Sequence, residues 1–480
     1  MNYRMVFRVI GNLLRVEAGL LLLPLIVSFI YKENLYYTYL IAIGILLVLS
    51  FILTAPKLKS RKIYARDGIV IVGLSWILMS FFGSLPFLIS GEISNFFDAF
   101  FESSSGFTTT GASVLENVEG MSHSLLFWRS LTNWMGGMGV LVFVLAIMPN
   151  TDARSMYIMQ AESPGPQVGK LVSKVRLTAR ILYGIYIALT VILIAFLTIK
   201  MPLFDSICHG LSTAGTGGFT IKNTSIGYYN SVYIDVVITV FMILFGVNFN
   251  LFYLILVGNI KSALKSEEFK TYFAIIAGAI ILITINLVTS GIYQTVGQAL
   301  RYSSFQVGTI ISTTGFSTTD YNLWPAFSKW ILILLMFVGG SAGSTAGGIK
   351  VSRIVIMFKM VVKEIKYNIN PNRVTSIYFE GKPIEHSVGK GVYSFFLAYV
   401  LMLLLVTLII SIDGMDMLTN FTATLSCMSN VGPGFELVGP MGNYSGFSSF
   451  SKLILSFVMI SGRLEIFPIL ILFAPNIWKR

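Results

Sequence analysis

Ten stretches of this chain are largely apolar over about 20 residues or more, the length a helix needs to cross a bilayer. They lie near 10–31, 36–55, 68–90, 124–148, 178–199, 231–257, 271–290, 328–360, 391–411 and 451–474. No other feature narrows the possible folds as far. The chain is 55% hydrophobic and 12% charged, about half the charge of a soluble domain. That excludes a soluble enzyme, a disordered scaffold and a nucleic-acid binder as first readings. The first stretch reads as a span rather than a cleaved leader, because Glu17 interrupts it and no small-residue cleavage site follows. The expected fold is an all-α polytopic membrane protein with ten transmembrane helices.

The net charge of +12 has to be located before it is interpreted. Of 34 Lys and Arg, 26 fall in six segments: the N-terminus, 56–67, 149–180, 258–270, 350–390 and the C-terminus. With ten spans all six segments face one side, which the positive-inside rule makes the cytoplasm. Both termini are then expected to be cytoplasmic, in the cytoplasmic (inner) membrane. Of the rest, Lys32, Lys200, Lys222, Lys329, Lys452, Arg129 and Arg301 lie in outer loops or near span ends. Arg463 is different. It sits well inside the last span, in Ile460-Ser461-Gly462-Arg463-Leu464-Glu465, and an ionisable residue at that depth marks a functional site or a structural pair. Glu465 or a backbone carbonyl is the expected structural partner.

A fourfold period organises the outer side. After the third, fifth, seventh and ninth spans comes a half-length apolar segment that ends at a glycine. The four ends read Thr108-Thr109-Thr110-Gly111, Gly215-Thr216-Gly217-Gly218, Ser312-Thr313-Thr314-Gly315 and Ser429-Asn430-Val431-Gly432, with glycines 107, 97 and 117 residues apart. About ten residues between Asp98 and Thr108 make a helix about 15 Å long, enough to enter halfway and turn back, with Asp98 and Asp205 suited as caps. The helix C-terminus turns negative carbonyl density toward the membrane centre. Irregular backbone at that depth has to line a cavity, and glycine allows it to aim carbonyl oxygens inward. Four such strands about one axis form rings of carbonyls that replace a cation's hydration shell. The expected architecture is four re-entrant pore loops in four M1–P–M2 repeats, pseudo-fourfold, over 67–149, 150–257, 258–366 and 367–480, after an N-terminal helix pair at 1–66.

On these motifs the chain resembles the Trk/Ktr/HKT potassium transporters, most closely their TrkH-type membrane subunits, over about 67–475; the two leading spans resemble the extra N-terminal pair of that type. The resemblance implies a filter glycine in each loop, at Gly111, Gly218, Gly315 and Gly432, with potassium held by the backbone around them. The cation-binding residues are then Thr109, Thr110, Gly111, Thr216, Gly217, Gly218, Thr313, Thr314, Gly315, Asn430, Val431 and Gly432. Glycine in all four loops is similar to the potassium-selective members, whereas sodium-preferring plant relatives typically carry serine in the first. Adjacent Gly217 and Gly218 leave the second loop ambiguous by one position, and the Phe-Asp spacing favours Gly218. The resemblance also implies a homodimer with one pore per chain, and a separate cytosolic ring of nucleotide-binding RCK-type regulatory subunits.

The eighth stretch is broken by Gly339, Gly340, Ser341, Gly343, Gly347 and Gly348. It is no phosphate-binding loop, since Ile349 occupies the required lysine position. Clustered glycine unwinds a span as in the discontinuous helices of transporters, although close helix packing also favours small residues. The run resembles the family's intramembrane gate below the filter, and Arg463 resembles the arginine beside it. The expected function is potassium uptake; a less selective sodium/potassium pathway or an ion-coupled symporter is the alternative within transport. An intramembrane enzyme is the reading from another class. It is disfavoured because His123, His209 and His386 form no ligand pattern, and His209 lies on an apolar half-helix where packing is expected. No bound cofactor is expected, potassium being the transported ion.

Overall fold

The computed structural model describes residues 1–56, 64–139, 175–372 and 376–475. Among these, six helices are long and apolar enough to cross a membrane: Tyr3–Ile30, Tyr36–Thr54, Arg66–Ser90, Leu177–Leu197, Glu267–Thr289 and Ser387–Asp413. Val232–Phe245 and Phe249–Leu256, which meet at 93°, make a seventh if taken as one span. Phe29, Ile30, Val48, Phe51, Leu404 and Leu408 on these helices are exposed, an apolar surface far beyond what a water-soluble monomer carries. The chain is a multi-pass membrane protein.

Of the other three expected spans, one is only partly described and two are broken by irregular backbone. The fourth is described only as far as residue 139, as the helix His123–Gly137. The eighth is a 13-residue helix Ala326–Val338, an irregular run, and a second helix Val351–Ile369. The tenth is Ser449–Arg463 followed by the short Phe467–Leu472. Basic residues Lys57, Lys59, Arg61, Lys62, Arg154, Lys170, Lys174, Arg373, Lys479 and Arg480, used above for orientation, lie outside the described residues. The antiparallel pair Tyr378–Phe379 and Lys382–Pro383 adds a small hairpin to the helical fold.

Between the long helices stand four shorter ones, Phe96–Phe107, Leu203–Gly215, Val296–Ile311 and Met417–Ser429. Their last two turns are buried, at 99–107, 208–215, 305–311 and 422–429. Asn95 caps the first by accepting from Phe97 N (2.8 Å), Thr295 the third from Gln298 N (3.3 Å), and Asp416 the fourth from Thr419 N (2.9 Å). The expected caps Asp98 and Asp205 have other partners, because both helices start three residues earlier than the Phe-Asp pairs suggest. Asp98 Oδ1 accepts from Lys452 Nζ (2.7 Å), and Asp205 Oδ2 accepts from the Tyr229 hydroxyl (2.6 Å).

Candidate functional site

All four short helices end in one backbone turn. Thr109, Thr216, Thr313 and Asn430 adopt left-handed φ of 55°, 53°, 56° and 57°. The next residue then donates its N–H to the carbonyl five residues back: Thr110 to Ser105 (2.9 Å), Gly217 to Ser212 (2.9 Å), Thr314 to Thr309 (2.8 Å) and Val431 to Ser426 (2.9 Å). This is the Schellman closure of a helix C-terminus. A left-handed non-glycine residue costs roughly 1–2 kcal/mol, so four at matching positions are held there by their surroundings. Two residues further on, φ is again positive, at Gly111, Gly218, Gly315 and Gly432. Gly218, not Gly217, therefore occupies the matching place in the second turn.

The four strands close into a ring. A methyl group built on Gly111 would lie 2.2 Å from the carbonyl oxygen of Gly217, and one on Gly218 would lie 1.8 Å from that of Thr314. From Gly315 the distance to Val431 O is 2.1 Å, and from Gly432 to Thr110 O it is 2.5 Å. Each glycine thus packs against the carbonyl just before the next strand's glycine, and the fourth contact returns to the first strand. No side chain fits between them. The threonine hydroxyls partly turn to their own strands, Thr108 Oγ1 with Thr110 Oγ1 and Ser312 Oγ with Thr314 Oγ1 (both 2.7 Å), while Thr216 Oγ1 donates to Gly215 O (2.7 Å). Asn430 Nδ2 donates to Thr110 Oγ1 (3.0 Å) and Met459 O (2.9 Å), tying the fourth strand to the first. Thr109 Oγ1 and Asn430 Oδ1 are buried acceptors with no hydrogen-bond partner.

The glycine-rich run folds into a loop beside this ring. Its neck closes where a methyl on Gly348 would meet Gly339 Cα at 2.7 Å, with Val351 N donating to Gly340 O (3.0 Å). Ser341 N donates to Gly246 O (2.9 Å), and Phe249 N donates to Gly343 O (3.0 Å), so the loop is sewn to the bend between Val232–Phe245 and Phe249–Leu256. Gly347 touches the ring: its N–H donates to Thr313 Oγ1 (2.7 Å), and a methyl there would lie 2.2 Å from Ser429 O. Arg463 ties the loop to the end of His123–Gly137. Its Nη1 donates to Thr345 O (2.7 Å), and its Nη2 to Gly136 O (2.5 Å) and Gly137 O (2.6 Å). Of the two structural partners expected for it, backbone carbonyls are found; Glu465 instead pairs with Arg353.

Several supports of the site were not singled out in the sequence. Arg129, taken as lying near a span end, is buried with Glu102: Nε to Oε1 is 2.8 Å, Nη1 donates to Thr220 O (3.0 Å), and the guanidinium lies 4.1 Å from the Phe219 ring centre. Glu102 also accepts from Ser113 Oγ (3.0 Å) and Val114 N (3.1 Å), so the pair joins the chain just beyond Gly111 to that just beyond Gly218. Arg301 pairs with Asp235 in the same manner (2.7 Å). An arginine within an apolar stretch was the available signal. His209 is buried, its Nδ1 2.8 Å from Asp205 O, and it packs near the Tyr229 and Phe316 rings. Cys208 and Cys427 are buried free thiols.

The family model described as TrkH, cation transport protein, matches residues 37–480. The chain is 34% identical to the Trk system potassium uptake protein TrkH of Salmonella typhimurium, with all of both chains covered. It is 33% identical to the Trk system potassium uptake protein TrkG of Escherichia coli, covering all of this chain and 99% of that one. The crystal structure of the potassium transporter TrkH from Vibrio parahaemolyticus superposes with a TM-score of 0.90 at 32% identity over the whole of both chains. These relatives are transporters rather than enzymes. With a turn repeated four times, a ring closed by glycines and relatives matched along its full length, the chain belongs to the TrkH family of cation transport proteins.

Proposed function

We propose that the chain takes potassium into the cell across the cytoplasmic membrane, through the ring in which Gly111, Gly218, Gly315 and Gly432 meet. The observation that carries this reading is the cyclic packing of each glycine against the next strand's carbonyl. It brings Thr110, Gly217, Thr314 and Val431 carbonyls around one axis, with buried acceptors at Thr109 and Asn430 that lack a donor. Oxygen ligands without competing donors suit a dehydrated cation, and four helix C-termini add negative potential. The residues at 109–111, 216–218, 313–315 and 430–432 are the proposed cation-binding set. The four units at 67–149, 150–257, 258–366 and 367–480 are proposed as M1–P–M2 repeats with re-entrant loops, after a helix pair at 1–66, both termini lying in the cytoplasm.

The loop 339–348 is the proposed gate, with Arg463 as its latch and as a positive charge opposing the cation. A homodimer and a cytosolic nucleotide-binding RCK-type regulator are proposed on the family relationship. Rubidium-86 uptake by proteoliposomes holding the purified chain tests the reading. Uptake down an imposed gradient, competed by potassium and not by excess sodium, is expected. Equal competition by sodium would assign the less selective pathway, and uptake that requires a second ion gradient would assign symport.

A further inference from the structure

We propose that Glu268 positions the glycine-rich loop, and that Glu380 at the tip of the small hairpin holds Glu268 in place, giving the loop a mechanical link to the chain outside the membrane. The proposal rests on the gate reading of that loop.

Glu268 lies in the first turn of Glu267–Thr289 and is 5% exposed. One oxygen of its carboxylate, Oε1, accepts from Ala342 N (2.8 Å) and from Ser352 N (3.1 Å). Ala342 is inside the loop, and Ser352 is in the first turn of the helix that follows it. A single acceptor therefore bridges the loop to its exit. Neither amide belongs to a helical ladder, since the first N–H groups of a helix have no intrahelical partner. Without Glu268 both would be buried donors lacking an acceptor.

The support of Glu268 comes from a separate part of the chain. Glu380 Oε1 accepts from the Glu268 main-chain N–H (3.0 Å) and from Ser266 Oγ (2.7 Å), which is the capping side chain of the same helix. Glu380 and Gly381 are the two turn residues between Tyr378–Phe379 and Lys382–Pro383, with φ of 51° and 73°. Both φ positive makes this a type I′ turn, which favours Asn-Gly over Glu-Gly. The glutamate stands in a position the turn disfavours, and its carboxylate spans to the helix start. Lys359 Nζ also donates to Tyr378 O (2.7 Å) and pairs with Glu267, and Phe379 is buried. Displacing the hairpin would pull on Glu267–Thr289, which carries Glu268, and on Val351–Ile369, the helix that follows the loop.

Rubidium-86 uptake by proteoliposomes of the full chain, without regulator, compares Glu268→Ala, Glu268→Gln and Glu380→Asn with Arg463→Ala. Arg463→Ala is expected to raise uptake, and Glu268→Ala to raise it about tenfold or more, as the loss of one charge-assisted hydrogen bond would. Glu268→Gln keeps an oxygen that accepts both amides and is expected to stay within about threefold of the parent, less than the tenfold that one lost bond gives. Glu380→Asn suits the turn but is one methylene shorter, and is expected to fall between. If Arg463→Ala raises uptake while Glu268→Ala and Glu380→Asn match the parent, the positioning role is wrong and the gate stands. Equal leak from Glu268→Gln and Glu268→Ala also overturns it, because charge rather than position would then matter. No increase from any variant in folded protein overturns the gate reading itself. Should Glu268→Ala not fold, Glu380→Asn decides, and parental uptake there refutes the link.

Discussion

Replacing Gly218 with alanine is the sharpest test of how the four strands meet. The new methyl would stand 1.8 Å from Thr314 O, against about 3.3 Å for an unstrained carbon–oxygen contact. The second and third strands must therefore part by about 1.5 Å, the difference between those two distances. Alanine at φ 69° adds roughly 1–2 kcal/mol, and forcing an extra carbon into packed surroundings adds about 1–3 kcal/mol. The sum of about 2–5 kcal/mol falls on one side of a ring whose spacing sets which ion fits. Gly217→Ala is the control. The three atoms nearest its methyl would all belong to the Asn133 side chain, at 2.3–2.7 Å, rather than to the next strand's backbone, and its φ is not in the left-handed region. It should therefore cost about 1–3 kcal/mol of packing without moving the next strand. Uptake of rubidium-86 with and without sodium, on variants matched for folding by thermal unfolding, reads both effects. Gly218→Ala should abolish uptake or lose discrimination against sodium, and Gly217→Ala should retain it. Loss of discrimination in Gly217→Ala with a normal Gly218→Ala would show that the strands are not registered as described.

Other consequences follow from the same geometry. Arg463→Ala removes three guanidinium contacts, to Thr345, Gly136 and Gly137. It should raise maximal uptake about tenfold or more with little change in the concentration for half-maximal uptake; lower flux from folded protein would contradict a latch. Glu102→Gln leaves the Arg129 charge buried without its counter-charge, which should cost about 3–5 kcal/mol in thermal or denaturant unfolding. The double variant Glu102→Gln with Arg129→Met should recover much of that loss, and strictly additive losses would show that the two residues do not act as a pair.

Much of the site is legible in sequence because four copies of one turn impose a common spacing. A lone Thr-Thr-Gly at Gly111 carries little information, but its counterparts at Gly218, Gly315 and Gly432 fix the period, and glycine is required where a neighbouring carbonyl leaves no room for a Cβ. The loop at 339–348 is legible for a related reason, as clustered glycine cannot sustain a helix. The other helix breaks were hidden. Val232–Phe245 bends by 93° into Phe249–Leu256 across Gly246-Val247-Asn248, and Ser449–Arg463 ends where Glu465 and Ile466 adopt φ of 57° and 68°. An apolar run hides such turns, because hydropathy responds to composition and not to backbone direction. Partners across the chain were also out of reach. Glu465 is two residues from Arg463 yet pairs with Arg353, and Asp98 meets Lys452 rather than capping its own helix. Nothing in the sequence marks Glu268, since only the fold brings Ala342 and Ser352 to it.

The most direct test of the ring is to locate the cation. Anomalous diffraction from crystals of the chain grown in rubidium or thallium would place it without reference to transport. A peak is expected on the axis enclosed by Thr110, Gly217, Thr314 and Val431, weakened in Gly218→Ala. Protein active in uptake that shows no peak there, or a peak only elsewhere, would contradict the assignment of these carbonyls as the selective site.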